Sequence, residues 1–177
     1  SAVGDTRYVL FMGWQAPAGE HWRGEIGRLR LEHDLTMSLA DSTPLLGLTD
    51  DDPISLSYPW VRDGADGFEM WYGSTLSWDA GNDEMIHIIK YAWSPDGVAW
   101  QRAAGPAVPW QIGEAQAFSR PAVLELGGAL HMWFSYRSGS GETYRIGHAV
   151  SEDAGPWRRD PAGDLGVSET GWDADMV

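Results

Sequence analysis

Short segments in which apolar and polar residues alternate recur along the chain, and no segment keeps a helical period for long. The pattern is clearest in the second half. Residues 121–126 predict one strand, Gly127 and Gly128 a hairpin turn, and residues 129–136 the returning strand. Residues 63–67, with the sequence Asp-Gly-Ala-Asp-Gly, predict the turn of an earlier hairpin. The chain is therefore predicted to be all-β.

These strands repeat. Residues 57–61, Ser-Tyr-Pro-Trp-Val, return at 119–123 as Ser-Arg-Pro-Ala-Val, and each copy precedes an aromatic strand, Met-Trp-Tyr or Met-Trp-Phe. An Ile-x-x-Ala segment follows in both, and the copies lie 57 to 62 residues apart. This period is closest to that of propeller blades. A weaker copy, without its leading Pro-containing strand, opens the chain at residues 9–14 and 26–29.

A turn of the form Ser-x-Asp-Gly-x-x-Trp closes the first full copy at residues 94–100, and a related turn closes the second at 151–157. Such a turn is expected between the third and outermost strands of a blade. Its Asp would accept backbone N–H bonds, and its Trp would pack between blades. The turn resembles the Asp-box turns of sialidases, which are structural.

The repeats predict a β-propeller of four-stranded antiparallel blades, about three of which are visible. The blades are placed at residues 7–41, 54–102 and 116–159, and the start of a further blade at 173–177. Three blades are too few to close a ring, because propellers typically have four to eight. We therefore expect part of a larger propeller, or a chain whose open blade edges are covered by a partner such as a second copy.

The composition of the chain excludes several classes of function. Twelve Lys and Arg oppose 26 Asp and Glu, which gives a net charge of -14 and no basic patch for nucleic acid. There is no cysteine, so disulfides and thiolate metal sites are excluded. No apolar run is long enough for a membrane span, so no membrane partner is predicted. No signal-peptide pattern is visible, which favours a cytoplasmic location.

The repeat also gives a register for acidic residues. Asp52, Glu114 and Asp173 each lie four positions before an equivalent apolar residue, at the channel end of a leading strand. Converging acids suit glycosidic bond chemistry, with Glu114 as general acid, Asp173 or its neighbour Asp175 as base or nucleophile, and a third carboxylate tuning their pKa values. Turn capping and chance are the alternatives for this register. No cofactor is predicted, although a pair of these acids holding a divalent cation is a third alternative.

Other residues are candidates for contacts with a sugar. Arg120 precedes the proline of the second leading strand, where the first copy has Tyr58; it would bind a carboxylate, a phosphate or a hydroxyl, or pair with a nearby acid. The predicted substrate-binding residues are Arg120, Tyr58, Trp60, Trp78 and Asp175. Trp110 and Trp172 also lie near channel or loop regions, whereas most of the eleven Trp are explained by packing between blades. His87, His131 and His148 lack metal-motif spacing and are read as structural.

The leading strand with its proline, the Met-Trp-Tyr strand, the Ile-x-x-Ala strand and the Asp turn together resemble the five-bladed β-propeller glycosidases, the arabinanase, levansucrase and invertase superfamily. The resemblance implies a glycoside hydrolase that acts on an oligosaccharide or glycoside through two Asp and one Glu, here Asp52, Asp173 and Glu114. Several branches carry Asp directly before the proline, where this chain has Tyr58 and Arg120. A non-catalytic carbohydrate-binding propeller and a structural fragment that assembles with another copy remain alternatives.

Overall fold

The computed structural model describes residues 2–3, 6–78, 85–110, 117–137, 143–152 and 155–177, with the backbone alone for residues 2–3. The described residues form strands and a single 3-10 turn at Pro161–Gly163, without an α-helix. The strands are β1 (Ala2–Val3), β2 (Thr6–Gln15), β3 (Arg23–Leu31), β4 (Met37–Leu39), β5 (Ser55–Gly64), β6 (Gly67–Ser77), β7 (Ile86–Ser94), β8 (Gln101–Arg102), β9 (Ala117–Leu126), β10 (Ala129–Arg137), β11 (Arg145–Glu152) and β12 (Arg158–Arg159). The all-β prediction is confirmed.

The strands form three successive four-stranded antiparallel blades, β1–β4, β5–β8 and β9–β12. The second and third blades meet at one parallel pair, His87 with Ala117, between the third strand of one blade and the leading strand of the next. The blade architecture predicted from the repeats is therefore confirmed. Within the first blade, the two-residue β1 pairs with β2 where the sequence showed no leading strand.

The leading strands of the two full copies carry the same irregularity. In β5 the pairing with β6 shifts between Ser57 and Trp60, so that two residues lie opposite one on the partner strand. In β9 the pairing with β10 shifts in the same way between Ser119 and Ala122. Each is a β-bulge, which bends a strand and redirects a side chain. The repeat thus extends from sequence to local backbone geometry.

Apolar side chains fill the spaces between neighbouring blades. One cluster joins the first and second blades and includes Ile26, Leu46, Leu56 and Met70. The other joins the second and third blades, where Trp71 meets Trp157 edge to face with ring centroids 5.8 Å apart. Burial of this apolar surface stabilises the order of the blades. Trp packing between blades, as predicted, is confirmed for these residues.

The Asp turn has the predicted structure in the second blade, between β7 and β8. The Asp96 carboxylate accepts hydrogen bonds from the backbone N–H groups of Val98 and Ala99, at 2.8 and 2.9 Å. Gly97 takes a positive φ of 70°, which a glycine adopts without the steric cost of a Cβ atom. Trp100 packs against the cluster between the first and second blades. In the described part of the chain, no helix has the length and apolar character needed to cross a membrane.

Candidate functional site in the central pocket

The channel ends of the blades enclose a cavity of about 340 Å³, which we call the central pocket. Its size falls within the range of small-molecule sites. Residues from all three blades and from the last two positions of the chain line it: Trp22, Tyr58, Met85, His87, Ser119, Arg120, Ser135, Tyr144, Met176 and Val177. The leading strands β5 and β9 each contribute the residue that precedes their proline.

Those two residues, Tyr58 and Arg120, have an unusual backbone. Their φ angles are 48° and 52°, in the left-handed region that residues other than glycine rarely occupy. Each also precedes a proline, which favours an extended conformation instead. Such backbone strain costs about 1–3 kcal/mol per residue and clusters at functional sites. The two bulges therefore hold Tyr58 and Arg120 in strained positions that line the pocket.

The side chains of these residues contact each other. The Arg120 Cζ atom lies 4.7 Å from the centroid of the Tyr58 ring, a cation–π contact that joins the two blades. The Arg120 guanidinium has no hydrogen bond or ion pair with a described residue. Its N–H donors are consequently available to an acceptor in the pocket.

A second arginine supports the pocket from behind. Arg137 is 7% exposed and donates hydrogen bonds to the Met85 carbonyl at 3.0 Å and to the Tyr144 hydroxyl at 3.3 Å. Met85 and Tyr144 both line the pocket. Arg137 thus fixes two residues of the pocket wall.

His87 lies in the pocket wall and is held neutral. Its Nε2 atom lies 3.0 Å from the Thr75 hydroxyl, whereas its Nδ1 atom has no partner among the described residues. Burial, together with the charge of Arg137, lowers the pKa of His87 to about 4. The nearby Ser57 hydroxyl is also buried without a partner in the described structure. The reading of His87 as purely structural therefore misses its place in the pocket wall.

Asp52 lies outside this lining, in a fully buried position at 0% exposure. Its carboxylate accepts hydrogen bonds from Ser74 at 2.6 Å and Tyr72 at 3.0 Å. It also pairs with Arg102 at 2.6 Å and with Lys90 at 3.2 Å. Burial alone would raise the pKa of Asp52, but the bonds from Ser74 and Arg102 and the Lys90 charge outweigh it, so the pKa lies below its ordinary value.

The other predicted acids are Glu114, Asp173 and Asp175. Glu114 lies outside the described residues. Asp173 is partly buried and accepts a hydrogen bond from the Ser168 hydroxyl at 2.8 Å, and Asp175 is exposed; neither lines the central pocket, although the adjoining Met176 and Val177 do. The assignment of Asp52, Glu114 and Asp173 as catalytic residues stays a prediction. Among the described residues, no group of three or more His, Asp or Glu is placed to hold a metal ion.

The predicted tryptophans occupy different places. The Trp60 indole donates to the Val123 carbonyl at 3.1 Å and so links β5 to β9. Trp78 stacks on His21 with centroids 4.8 Å apart and meets Trp22, a pocket residue, edge to face at the same distance. Trp78 and Trp22 form an aromatic pair beside the central pocket, which is a surface suited to a sugar ring.

Sequence reasoning did not single out Trp22, Met85 or Tyr144. All three come from the connection between the second and third strands of a blade, before β3, β7 and β11 respectively. Connections between regular strands commonly carry functional residues. Each of these residues is the last one before the third strand of its blade, and this shared position in the sequence would have identified them.

Comparison with solved structures identifies the architecture. A protein described as a glycoside hydrolase superposes with a TM-score of 0.77 at 17% identity, over 99% of this chain and 55% of its own. The GH32 beta-fructofuranosidase BmSUC1 of Bombyx mori superposes with a TM-score of 0.69 at 16% identity, over 90% and 35%. For the sucrose-6-phosphate hydrolase of Lactobacillus gasseri the TM-score is 0.63 at 11% identity, over 85% and 30%. The chain has the fold of the propeller glycosidases.

This propeller also has relatives in sequence. Two proteins of Mycobacterium tuberculosis, the uncharacterized proteins MT1551 (strain CDC 1551 / Oshkosh) and Rv1502 (strain ATCC 25618 / H37Rv), are each 37% identical to it over 176 residues. The match covers 99% of this chain and 58% of each relative. The chain thus spans a little over half the length of these curated relatives. No protein-family model matches it.

Proposed function

We propose that the protein binds a glycan in the central pocket and acts on a glycosidic bond there. One observation carries this proposal: two equivalent bulges, one in β5 and one in β9, bring Tyr58 and Arg120 together at a single cavity. The aromatic pair Trp22 and Trp78 beside the cavity supplies faces on which a sugar ring can stack. Glycoside hydrolases with the same fold lend support to this class of chemistry.

Glu114 and Asp173 are the proposed acid and base, with Asp175 as the alternative base. Asp52 fits the third role, because a carboxylate fixed by two cations and two hydroxyl groups stays ionised and has no open face for a substrate. Asp52 is therefore proposed to position and tune rather than to transfer a proton.

A non-catalytic carbohydrate-binding propeller is the second candidate. The observation in its favour is that the described lining of the central pocket includes no Asp or Glu side chain. In that case Arg120, Tyr58 and the aromatic pair would hold a sugar without cleaving it. Binding and turnover therefore have to be measured on the same protein.

The test combines a panel of oligosaccharides, assayed for released reducing ends, with calorimetric binding measurements. Glu114→Gln and Asp173→Asn should each lower turnover by about 10²-fold to 10⁴-fold while sugar affinity is kept. Glu169→Gln and Asp63→Asn, at exposed positions, are the matched controls. Binding without turnover by the unmodified protein would favour the second candidate, and the absence of both would refute the proposal.

A further inference from the structure

The central pocket carries positive charge inside an acidic protein. The chain has a net charge of -14, yet the charged side chain in the described lining is that of Arg120. Six other described arginines are paired with an acid, as Arg28 is with Asp41 and Arg159 with Asp164. Arg120 differs because its guanidinium has no acidic partner among the described residues.

We propose that the central pocket selects a sugar that carries an anionic group, either a carboxylate or a phosphate, and that Arg120 binds this group. The inference rests on the proposed function, since it names the substrate class of the same pocket. A guanidinium offers N–H donors in a planar fork that matches both anions. Neutral hydroxyl groups can accept its hydrogen bonds but carry no opposite charge.

The backbone of β9 and the Tyr58 ring fix the position of Arg120. Arg120 is exposed at the pocket, and its backbone is held at a φ of 52° by the bulge in β9 instead of the extended conformation of a regular strand. The Tyr58 ring, held by the matching bulge in β5, supports the guanidinium through the cation–π contact and reduces its freedom. Strain of this kind persists where the surrounding structure fixes it for a purpose such as ligand binding.

The surroundings of Arg120 strengthen the case. Arg137 is buried and donates hydrogen bonds to Met85 and Tyr144, so two residues of the pocket wall beside Arg120 are held in place. Besides burial, the Arg137 charge is what holds His87 uncharged, with a pKa of about 4. His87 therefore adds no charge to the pocket, and the charged side chain that lines it in the described structure is that of Arg120.

The experiment measures affinity by calorimetry for glucose, galactose and mannose, each as the neutral sugar, the uronate and the 6-phosphate. We expect the anionic form of a bound sugar to bind about tenfold to hundredfold more tightly than the neutral form. Arg120→Gln should remove this difference. Arg158→Gln, which removes the same charge from an exposed position on β12, should leave it unchanged. Preference for the uronate or the 6-phosphate identifies which anion the pocket takes.

Acetate and inorganic phosphate, titrated while the Arg120 side-chain N–H signal is followed by NMR, separate the two proposals. If no sugar binds but either anion shifts this signal, the anion site stands and the glycan function fails. Equal affinity for neutral and anionic sugars, or an anionic preference that survives Arg120→Gln, overturns the anion site and leaves the glycan function intact. If neither sugars nor anions bind, both proposals are overturned.

Discussion

At the scale of single residues, the strained backbone of Tyr58 and Arg120 lowers the stability of the fold while it places both side chains for binding. A left-handed conformation before proline is unfavourable for any residue with a Cβ atom. The fold therefore carries this cost at two positions that also line the central pocket. Substitution at these positions should move stability and binding in opposite directions.

Arg120→Gly is expected to raise the free energy of unfolding by about 0.5–1 kcal/mol, because glycine relieves more left-handed strain than it adds in unfolded-chain entropy. The same variant should lose anion binding. Urea unfolding followed by circular dichroism measures the change. Arg158→Gly, within the regular strand β12, should instead lower stability by a similar amount. A loss of stability in Arg120→Gly as large as that of the control would contradict the strain argument.

Asp52→Asn should lower the free energy of unfolding by about 3–5 kcal/mol, because Lys90, at 2% exposure, would be left as an unpaired buried charge. Adding Lys90→Met should recover part of the loss, since the remaining Arg102 is 19% exposed and reaches water. Urea unfolding of both variants measures this. Equal stability of the single and double variants would show that Lys90 contributes nothing to the cost.

The same site sets a pH dependence. The folded pKa of Asp52 lies below its ordinary value, so its stabilisation is complete above the unfolded pKa of about 3.9 and is lost as the pH falls through the folded pKa. The stability gap between the unmodified protein and Asp52→Asn should be constant above about pH 5 and narrow below pH 4. A gap that does not narrow in acid would show that the folded pKa of Asp52 is not depressed.

At the scale of strands and turns, the sequence pattern predicted the features that depend on contacts between residues close together in the chain. Alternation predicted β9 and β10, and the turn motif predicted the contacts of Asp96, because all the atoms involved lie within a few residues. The environment of Asp52 depends on Lys90 and Arg102, which lie 38 and 50 positions away and approach it only in the folded blade. The register that singled out Asp52 could not show that its carboxylate would already be paired.

The turn itself gives a prediction at this scale. Asp96→Ala removes the acceptor of two backbone N–H groups and should lower the free energy of unfolding by about 1–2 kcal/mol. Thermal unfolding measures the effect. Asp66→Ala, at an exposed position in the turn between β5 and β6, should change stability by less than about 0.5 kcal/mol. Equal effects at the two positions would argue against the capping role of Asp96.

At the scale of the whole molecule, the blades hold together through apolar clusters and a few directed contacts while the net charge of -14 opposes compactness. We expect the melting temperature to rise when sodium chloride is increased from about 10 mM to 500 mM, because the Debye length falls from about 30 Å to well below 10 Å and the mutual repulsion of surface acids is screened. Differential scanning fluorimetry measures this, with light scattering to report the mass of the particle. A falling melting temperature would mean that attractive ion pairs outweigh the repulsion.

The two matching bulges are equivalent backbone positions that carry different side chains. Because the kink in β5 and the kink in β9 have the same backbone geometry but present a phenol in one blade and a guanidinium in the other, the geometry does not depend on which side chain it carries. Chemistry at the pocket can therefore be exchanged one side chain at a time without redesigning a blade. An engineer who wished to change what the protein recognises would begin at residues 58 and 120.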